Sequence, residues 1–492
     1  MIALTAAEVA TATGGTLHPS RLAPSTLVTG PVVIDSRLAQ PGALFVALPG
    51  ERSDGHDFAV AAVAGGAALV LATRPLAAPD GTPLPTVVVP DVEVALGDLA
   101  RDVLVRLREA SGEPGGSGLQ VIAVTGSVGK TTTKDLLLQM FSTAGPTVAP
   151  VLSFNNEIGL PLTVLRADES TRYLVLEMGA SGHGHLTYLT GIAPPDVAVV
   201  LVVGSAHLGE FGGVEGVARA KSELVAGLVA DGVAVLNADD PRVVAMRDLA
   251  PGEVLTFGES VGAQVRASDI RLDRSGRASF TLATPAPHGG THDERVALRL
   301  VGEHHVHNAL AAAAAAIAVG LAPDAIALGL AGADALSPHR MHVVDRPDGV
   351  TVIDDSYNAN PDSMRAALRA LAVLAGRDRR SVAVLGEMLE LGPGSRAAHE
   401  SIGLQVVRLN VALTVVVGAG ARAIADGALL EGSWGDEVAV VDDIEAAVEL
   451  LEGELRAGDV VLVKSSYGAG LWRLGDRLLA GGTVAAAEDV AQ

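Results

Sequence analysis

The chain has 492 residues, 49% of them hydrophobic but only 3% aromatic, and 35 basic residues against 57 acidic ones leave a net charge of −22 at pH 7. That length exceeds a single hydrophobic core and points to about three domains. The absence of cysteine excludes disulfides, thiolate metal centres and cysteine nucleophiles. The acidic balance argues against a nucleic-acid surface, which needs clustered positive charge.

In chain order, the first stretch, MIALTAAEVATATGG, lacks the basic and apolar regions of a signal peptide. Residues 1–112 carry short apolar runs (ALFVAL, ALVLAT) and predict a small α/β domain. SGEPGGSG, Ser111 to Gly118, has the composition of a linker. Residues 113–333 then alternate apolar runs (VIAVT, YLVLEM, DVAVVLVV, GVAVLN) with helical stretches, the pattern of a parallel sheet flanked by helices. From Ala263 to Val301 the alternation RASFTLA and RVALRLV predicts an antiparallel patch. The alanine-rich run from Ala309 is shorter than the roughly 20 residues that span a bilayer. A further boundary falls near Gly332 to Pro338, and residues 334–492 repeat the strand–helix alternation of a Rossmann-like unit. The expected fold is α/β in three domains, with no transmembrane segment, in a cytoplasmic monomer.

Val121 to Lys134 reads strand, glycine turn, helix, with the turn TGSVGKTT. Backbone amides of such a turn and the helix N-terminus hold phosphates. Thr125, Gly126, Ser127, Gly129 and Thr132 form the expected cradle, Lys130 reaches the outer phosphates and the Thr131 hydroxyl faces Mg²⁺. The basic residues reinforce this reading: only four are lysine (Lys130, Lys134, Lys221, Lys464) and 31 are arginine. Against that bias a lysine marks a place that needs a compact ammonium, or an amine able to lose its proton.

The variant T-G-S-x-G-K-T-T resembles the Mur ligase and folylpolyglutamate synthetase family of ATP-dependent amide ligases, and the resemblance runs along the whole chain. It implies ATP and two Mg²⁺ ions, with Glu177 at the end of YLVLEM and His207 in GSAHLGEFG as metal ligands. Lys221, in GVARAKSEL, matches a family lysine that carries a CO2-derived carbamate and joins the metal site. Asn308, in GEHHVHNALAAAAA, matches an adenine-contacting asparagine, while His305 stands where another asparagine is usual. That spacing favours nucleotide binding over a separate histidine metal site. Arg340 in PHRM matches an arginine that closes on the γ-phosphate, and Asp355, Tyr357 and Asn358 in DDSYNANP match nucleotide contacts. Ligands shared among three domains imply a hinge that brings Arg340 and Asn358 to ATP.

DSYNANP together with SFNNEIGLP is most similar to the branch that adds D-alanyl-D-alanine to UDP-N-acetylmuramoyl-tripeptide. The resemblance assigns Asn155, Asn156 and Asn360 to the substrate, Ser36 and Arg37 to the uridine diphosphate, with Asp54, Gly55 and His56 beside them, and Lys464 to a dipeptide carboxylate or a phosphate. In the usual motif a glycine follows that lysine; here it is Ser465. Two rivals share the centre: a sister ligase adding a single amino acid or folate glutamate, and a non-catalytic ATP-binding regulator. One competing signal is VVVGAGARA with Asp442 beyond it, a dinucleotide fingerprint taken alone. Lacking residues for nicotinamide chemistry, this turn is expected only to join a strand to a helix.

Overall fold

The computed structural model describes residues 1–19, 22–50, 53–111, 118–204, 211–286, 290–433 and 436–480. Its centre is a nine-stranded sheet. From one edge the strands are Thr291–Val301, Arg277–Pro285, Val265–Leu272, Val254–Gly258, Val233–Asn237, Val197–Val200, Gln120–Thr125, Tyr173–Glu177 and Thr147–Val148. The seven from Val265–Leu272 to Thr147–Val148 pair in parallel, and the valine-, leucine- and alanine-rich runs of the four from Val233–Asn237 to Tyr173–Glu177 are buried on both faces, as crossover helices require. Alternate residues of one strand divide between two cores. Val121 and Ala123 join one, and Ile122 and Val124 join the other.

The segment expected to be antiparallel forms the Val265–Leu272, Arg277–Pro285 and Thr291–Val301 meander, which extends this sheet at one edge. On one face lies helix His305–Ala318, whose alanines are buried together with the phosphate-loop helix Lys130–Ala144. Small side chains allow that close approach. Among the described residues no helix is long and apolar enough to cross a membrane.

The N-terminal region builds a five-stranded sheet in the order Thr16–His18, Thr86–Val88, Leu69–Ala72, Leu44–Val46, Val32–Val33. Helix Val92–Ala110 starts at Asp91, whose carboxylate accepts the Glu93 and Val94 amides. Its buried face joins a core shared with Leu174, Leu186 and Leu189, so this helix fastens the N-terminal region to the central sheet. In the SGEPGGSG linker, residues 112–117 lie outside the described residues.

The C-terminal region is a six-stranded sheet in the order His342–Asp345, Thr351–Asp354, Val460–Lys464, Ser381–Leu385, Leu413–Val417, Val438–Val441; it is parallel except at its first edge. The VVVGAGARA turn joins strand Leu413–Val417 to helix Ala423–Glu431. The Glu387 carboxylate packs against Gly420, where a Cβ would strike it.

Candidate active site

Strand Gln120–Thr125 runs into the glycine turn, and Gly129, at φ +87°, ends it as the N-cap of helix Lys130–Ala144. A side chain there would be strained and would strike the Asn308 carboxamide, so glycine is required twice over. The turn is pinned from behind: Ser127 N donates to Val202 O at 2.9 Å, and Ser127 Oγ accepts the Gly204 amide at 2.8 Å.

Glu177 pairs in register with Val124, which sets its carboxylate beside the turn at the carboxyl edge of the sheet, where ligands of open α/β sheets collect. Glu177 is 1% exposed. Its Oε2 accepts Thr131 Oγ1 at 2.9 Å, and its Oε1 accepts Asn155 Nδ2 at 2.8 Å. Thr131 Oγ1 is also 3.0 Å from Ser153 Oγ, to which Arg340 Nη2 donates at 3.2 Å. Hydroxyls and a carboxylate meeting at one point form a hard oxygen donor set that suits Mg²⁺.

The opposite wall comes from the C-terminal sheet. Arg340 lies over the Tyr357 ring at 4.3 Å, between His339 and Met341, whose φ angles are +57° and +49°. His339 Nδ1 is 2.6 Å from Asp354 Oδ2, and Met341 N donates to Asp355 Oδ1 at 3.1 Å, so the arginine is fastened to the loop after strand Thr351–Asp354. The cavity between the walls has a volume of about 620 Å³, and Lys130, Asn308, Arg340, Asp355 and Asn358 line it.

A second cavity of about 330 Å³ shares Lys130, Asn155 and Asn358 with the first and adds Asn156, Glu157 and Lys221. Burial, helped by the charge of Lys130, lowers the Lys221 pKa to about 7. Burial also pushes Lys130 down, opposed by Glu177 and reinforced by Arg340.

Three Mur ligase family models match the chain: the middle domain over residues 124–316, the glutamate ligase domain over 339–467 and the family catalytic domain over 31–103. The UDP-N-acetylmuramoyl-tripeptide--D-alanyl-D-alanine ligase of Mycobacterium tuberculosis is 46% identical over 516 residues, covering 98% of this chain and 99% of its own. The chain belongs to the Mur ligase family. The Escherichia coli ligase of the same name is 36% identical over 442 residues, covering 89% of this chain and 91% of its own. Among solved structures, MurF from Acinetobacter baumannii superposes with a TM-score of 0.84 at 33% identity, covering 98% of this chain and 99% of that one. MurF ligase from Thermotoga maritima in complex with ADP gives 0.75 at 29% identity, over 92% and 98%.

Against this Mur ligase frame, the expected residues fall into groups. Ser127, Gly129, Lys130, Thr131, Thr132, Glu177, Asn308, Arg340, Asp355, Tyr357 and Asn358 meet around the larger cavity. Gly126, Asn156 and Lys221 line the smaller one. His207 lies outside the described residues. Thr125 ends the strand with its hydroxyl buried and unpartnered among the described residues.

Asn360 and Lys464 also line the larger cavity and Asn155 both cavities, and several of the expected side chains are held by bonds within the protein. Lys464 Nζ donates to Asp355 Oδ2 at 2.5 Å, to Asn358 O at 2.9 Å and to Asp355 O at 3.3 Å, so its three protons hold the DDSYNANP loop. Asn360 caps helix Pro361–Ala375 by accepting Ser363 N at 2.9 Å, and its Nδ2 is 3.4 Å from Ser127 O. Asn156 Oδ1 accepts the Gly159 amide at 2.9 Å. Ser36 and Arg37 lie in a short 3-10 turn of the N-terminal region and line neither cavity; Arg37 Nη2 pairs with Asp35 at 2.7 Å. His56 is buried, accepting Thr73 N at 3.0 Å on Nε2 and facing Asp54 at 2.5 Å on Nδ1, which makes this loop a structural brace.

His305 now has a partner: its Nδ1 accepts Asn308 Nδ2 at 3.2 Å, which turns the Asn308 carbonyl oxygen toward Gly129. Burial holds His305 well below the ordinary histidine range, as the acceptor role requires. The nearby His307 faces Asp239 at 3.2 Å and Glu259 at 3.5 Å. Sequence reasoning missed Ser153, which links Thr131 to Arg340, and the Glu157–His185 pair; neither carries a motif of its own.

Proposed function

We propose that this chain is an ATP-dependent amide ligase that joins D-alanyl-D-alanine to the tripeptide carboxylate of UDP-N-acetylmuramoyl-tripeptide through an acyl phosphate. One observation carries the reading. A phosphate-loop cavity shares Lys130 and Asn358 with a second cavity lined by a desolvated lysine, in a chain 46% identical to ligases of that name.

ATP lies in the larger cavity, its phosphates on the Ser127–Thr132 amides at the positive end of helix Lys130–Ala144. Asn308, oriented by His305, takes the base. Thr131, Glu177 and a carbamate on Lys221 supply the oxygens for Mg²⁺, which when bound offsets the repulsion between carboxylate and triphosphate. Carbamate formation needs a neutral amine. A lysine with its pKa at about 7 is half in that form at neutral pH, whereas an ordinary lysine is almost wholly protonated.

The tripeptide carboxylate attacks the γ-phosphorus, the bond to the β-bridging oxygen breaks, and ADP and the acyl phosphate form. Lys130 and Arg340 both line the cavity assigned to the phosphates, where their charge would meet that developing during transfer. Arg340 is aimed by the cation–π contact with Tyr357 and by the Ser153 hydroxyl. Lys464 acts one step back by holding Asp355 and Asn358 in place. The dipeptide amine then attacks the acyl carbon and phosphate leaves.

The test is phosphate release with ATP, Mg²⁺, UDP-N-acetylmuramoyl-tripeptide and D-alanyl-D-alanine, omitting each in turn and recording the product mass. Release that needs both acceptors and yields the pentapeptide is expected. Release with a single amino acid points to a sister ligase. ATP binding without acceptor-dependent release overturns the enzymatic reading.

A further inference from the structure

The smaller cavity contains a pair that the chemistry above leaves unused. Glu157 stands between Asn156 and helix Gly159–Val164, and its Oε2 lies 2.9 Å from His185 Nε2. His185 is the first residue of helix His185–Ile192, and its Nδ1 accepts the Ser181 amide at 3.1 Å. An imidazole accepting on Nδ1 carries its proton on Nε2, so His185 donates to Glu157 and is fixed at both nitrogens. The ring is 14% exposed and the Glu157 side chain 36%, so the carboxylate keeps an open edge.

The charges in this cavity are unevenly distributed. Among the described residues lining it, Lys130 is the cation, Lys221 is the lysine assigned the carbamate above, and Glu157 is the one carboxylate side chain. Lys130 suits the anionic carboxylate and phosphoryl group. It repels the other reactant, which arrives as an ammonium. Glu157 offers that ammonium a partner within the same space. The placement is anchored, because Asn155, two residues earlier, is bonded to Glu177, and Asn358 of the C-terminal region reaches the same cavity. Glu93 extends the negative field: burial raises its pKa first, and the charge of Glu157 adds to the rise.

We infer that Glu157, held by His185, receives the ammonium of the incoming dipeptide and accepts a proton from it during amide formation. The inference rests on the ligase reading above. An ammonium sheds two protons on the way to an amide. The first goes to water and frees the nitrogen lone pair, which forms the C–N bond to the acyl carbon. The second leaves the now cationic nitrogen for Glu157, while the acyl C–O bond breaks and its electron pair departs with phosphate. A weak carboxylate base suffices for the second transfer, since a nitrogen bonded to the tetrahedral carbon is far more acidic than a free ammonium. Carboxylate beside reactant, with an imidazole orienting it, is the base-and-orienter arrangement.

The experiment separates the two half-reactions in the full-length protein. Glu157→Gln keeps shape and loses charge; its kcat/KM for D-alanyl-D-alanine should fall about a hundredfold, the ordinary contribution of a positioned base. Acyl phosphate, trapped by borohydride reduction in the absence of dipeptide, should still form. Glu157→Asp should recover part of the loss. Three results overturn the inference: unchanged ligation by Glu157→Gln, loss of acyl phosphate in parallel with ligation, or a KM rise for the UDP-tripeptide alone. The last would assign the carboxylate to an ammonium on the tripeptide side chain instead. Failure of the native protein to form any dipeptide-dependent product would sink the ligase reading itself, a distinct outcome.

Discussion

The four lysines divide the molecule into two kinds of site. Lys134 and Lys464 are buried and fully engaged. Lys134 pairs with Asp135 and donates to Pro150 O at 3.1 Å and Ser337 Oγ at 3.4 Å, and Lys464 is held by Asp355 and two carbonyls. Lys464 also lines the larger cavity, but Lys130 and Lys221 face cavities without a carboxylate to hold them. Among the described residues Lys130 donates to Gly126 O at 2.9 Å and to no carboxylate, and Lys221 has no hydrogen-bond partner. A charge buried with its counter-charge fixes structure, whereas one desolvated without it is held ready for an anion or a change of protonation.

The largest effects that could break this division concern stability. Lys464→Met leaves Asp355 buried without its cation, which should lower unfolding free energy by about 3–5 kcal/mol in chemical denaturation. Lys134→Met should behave alike, and should also loosen the segment at Ser337 that runs into Arg340. Lys130→Met is predicted to do the reverse: kcat falls about 10²–10³-fold, in line with loss of one transition-state donor, with no drop in melting temperature. A destabilised Lys130→Met, or a stable Lys464→Met, would erase the distinction.

A smaller effect is read from pH. Unfolded Lys221 keeps its proton into the ordinary lysine range, whereas the folded side chain gives it up at about 7. Between those values unfolding takes up a proton, so in CO2-free buffer stability should rise with pH, by at most about 1.4 kcal/mol per unit from this group. Lys221→Met should flatten that slope. Activity should fall as pH drops below about 7, where protonation competes with carbamate formation, and added bicarbonate should restore part of it.

The sequence exposed what is local. The phosphate turn, its strand and its helix are contiguous in the chain, and alternating valine runs predict parallel strands whatever their order. The meander at Val265–Val301 was readable from its period-two pattern. Composition singled out all four lysines equally, yet could not divide them. Lys464 finds its carboxylate 109 residues away, and Lys134 meets Ser337 at a separation of 203. Asn360 resembles a ligand in sequence and lines the larger cavity, but that its side chain also caps the helix beginning at the next residue is seen only in the fold. The role of His305 depends on a contact between its ring and Asn308 over a distant glycine turn, which no motif announces.

The contrast is tested most directly by carbon-13 NMR of the protein equilibrated with labelled bicarbonate. One carbamate resonance is predicted, absent from Lys221→Ala, with the activity of that variant partly restored by short carboxylic acids that replace the missing oxygens. A native spectrum without the resonance, together with full activity of Lys221→Ala in bicarbonate-free buffer, would contradict the account.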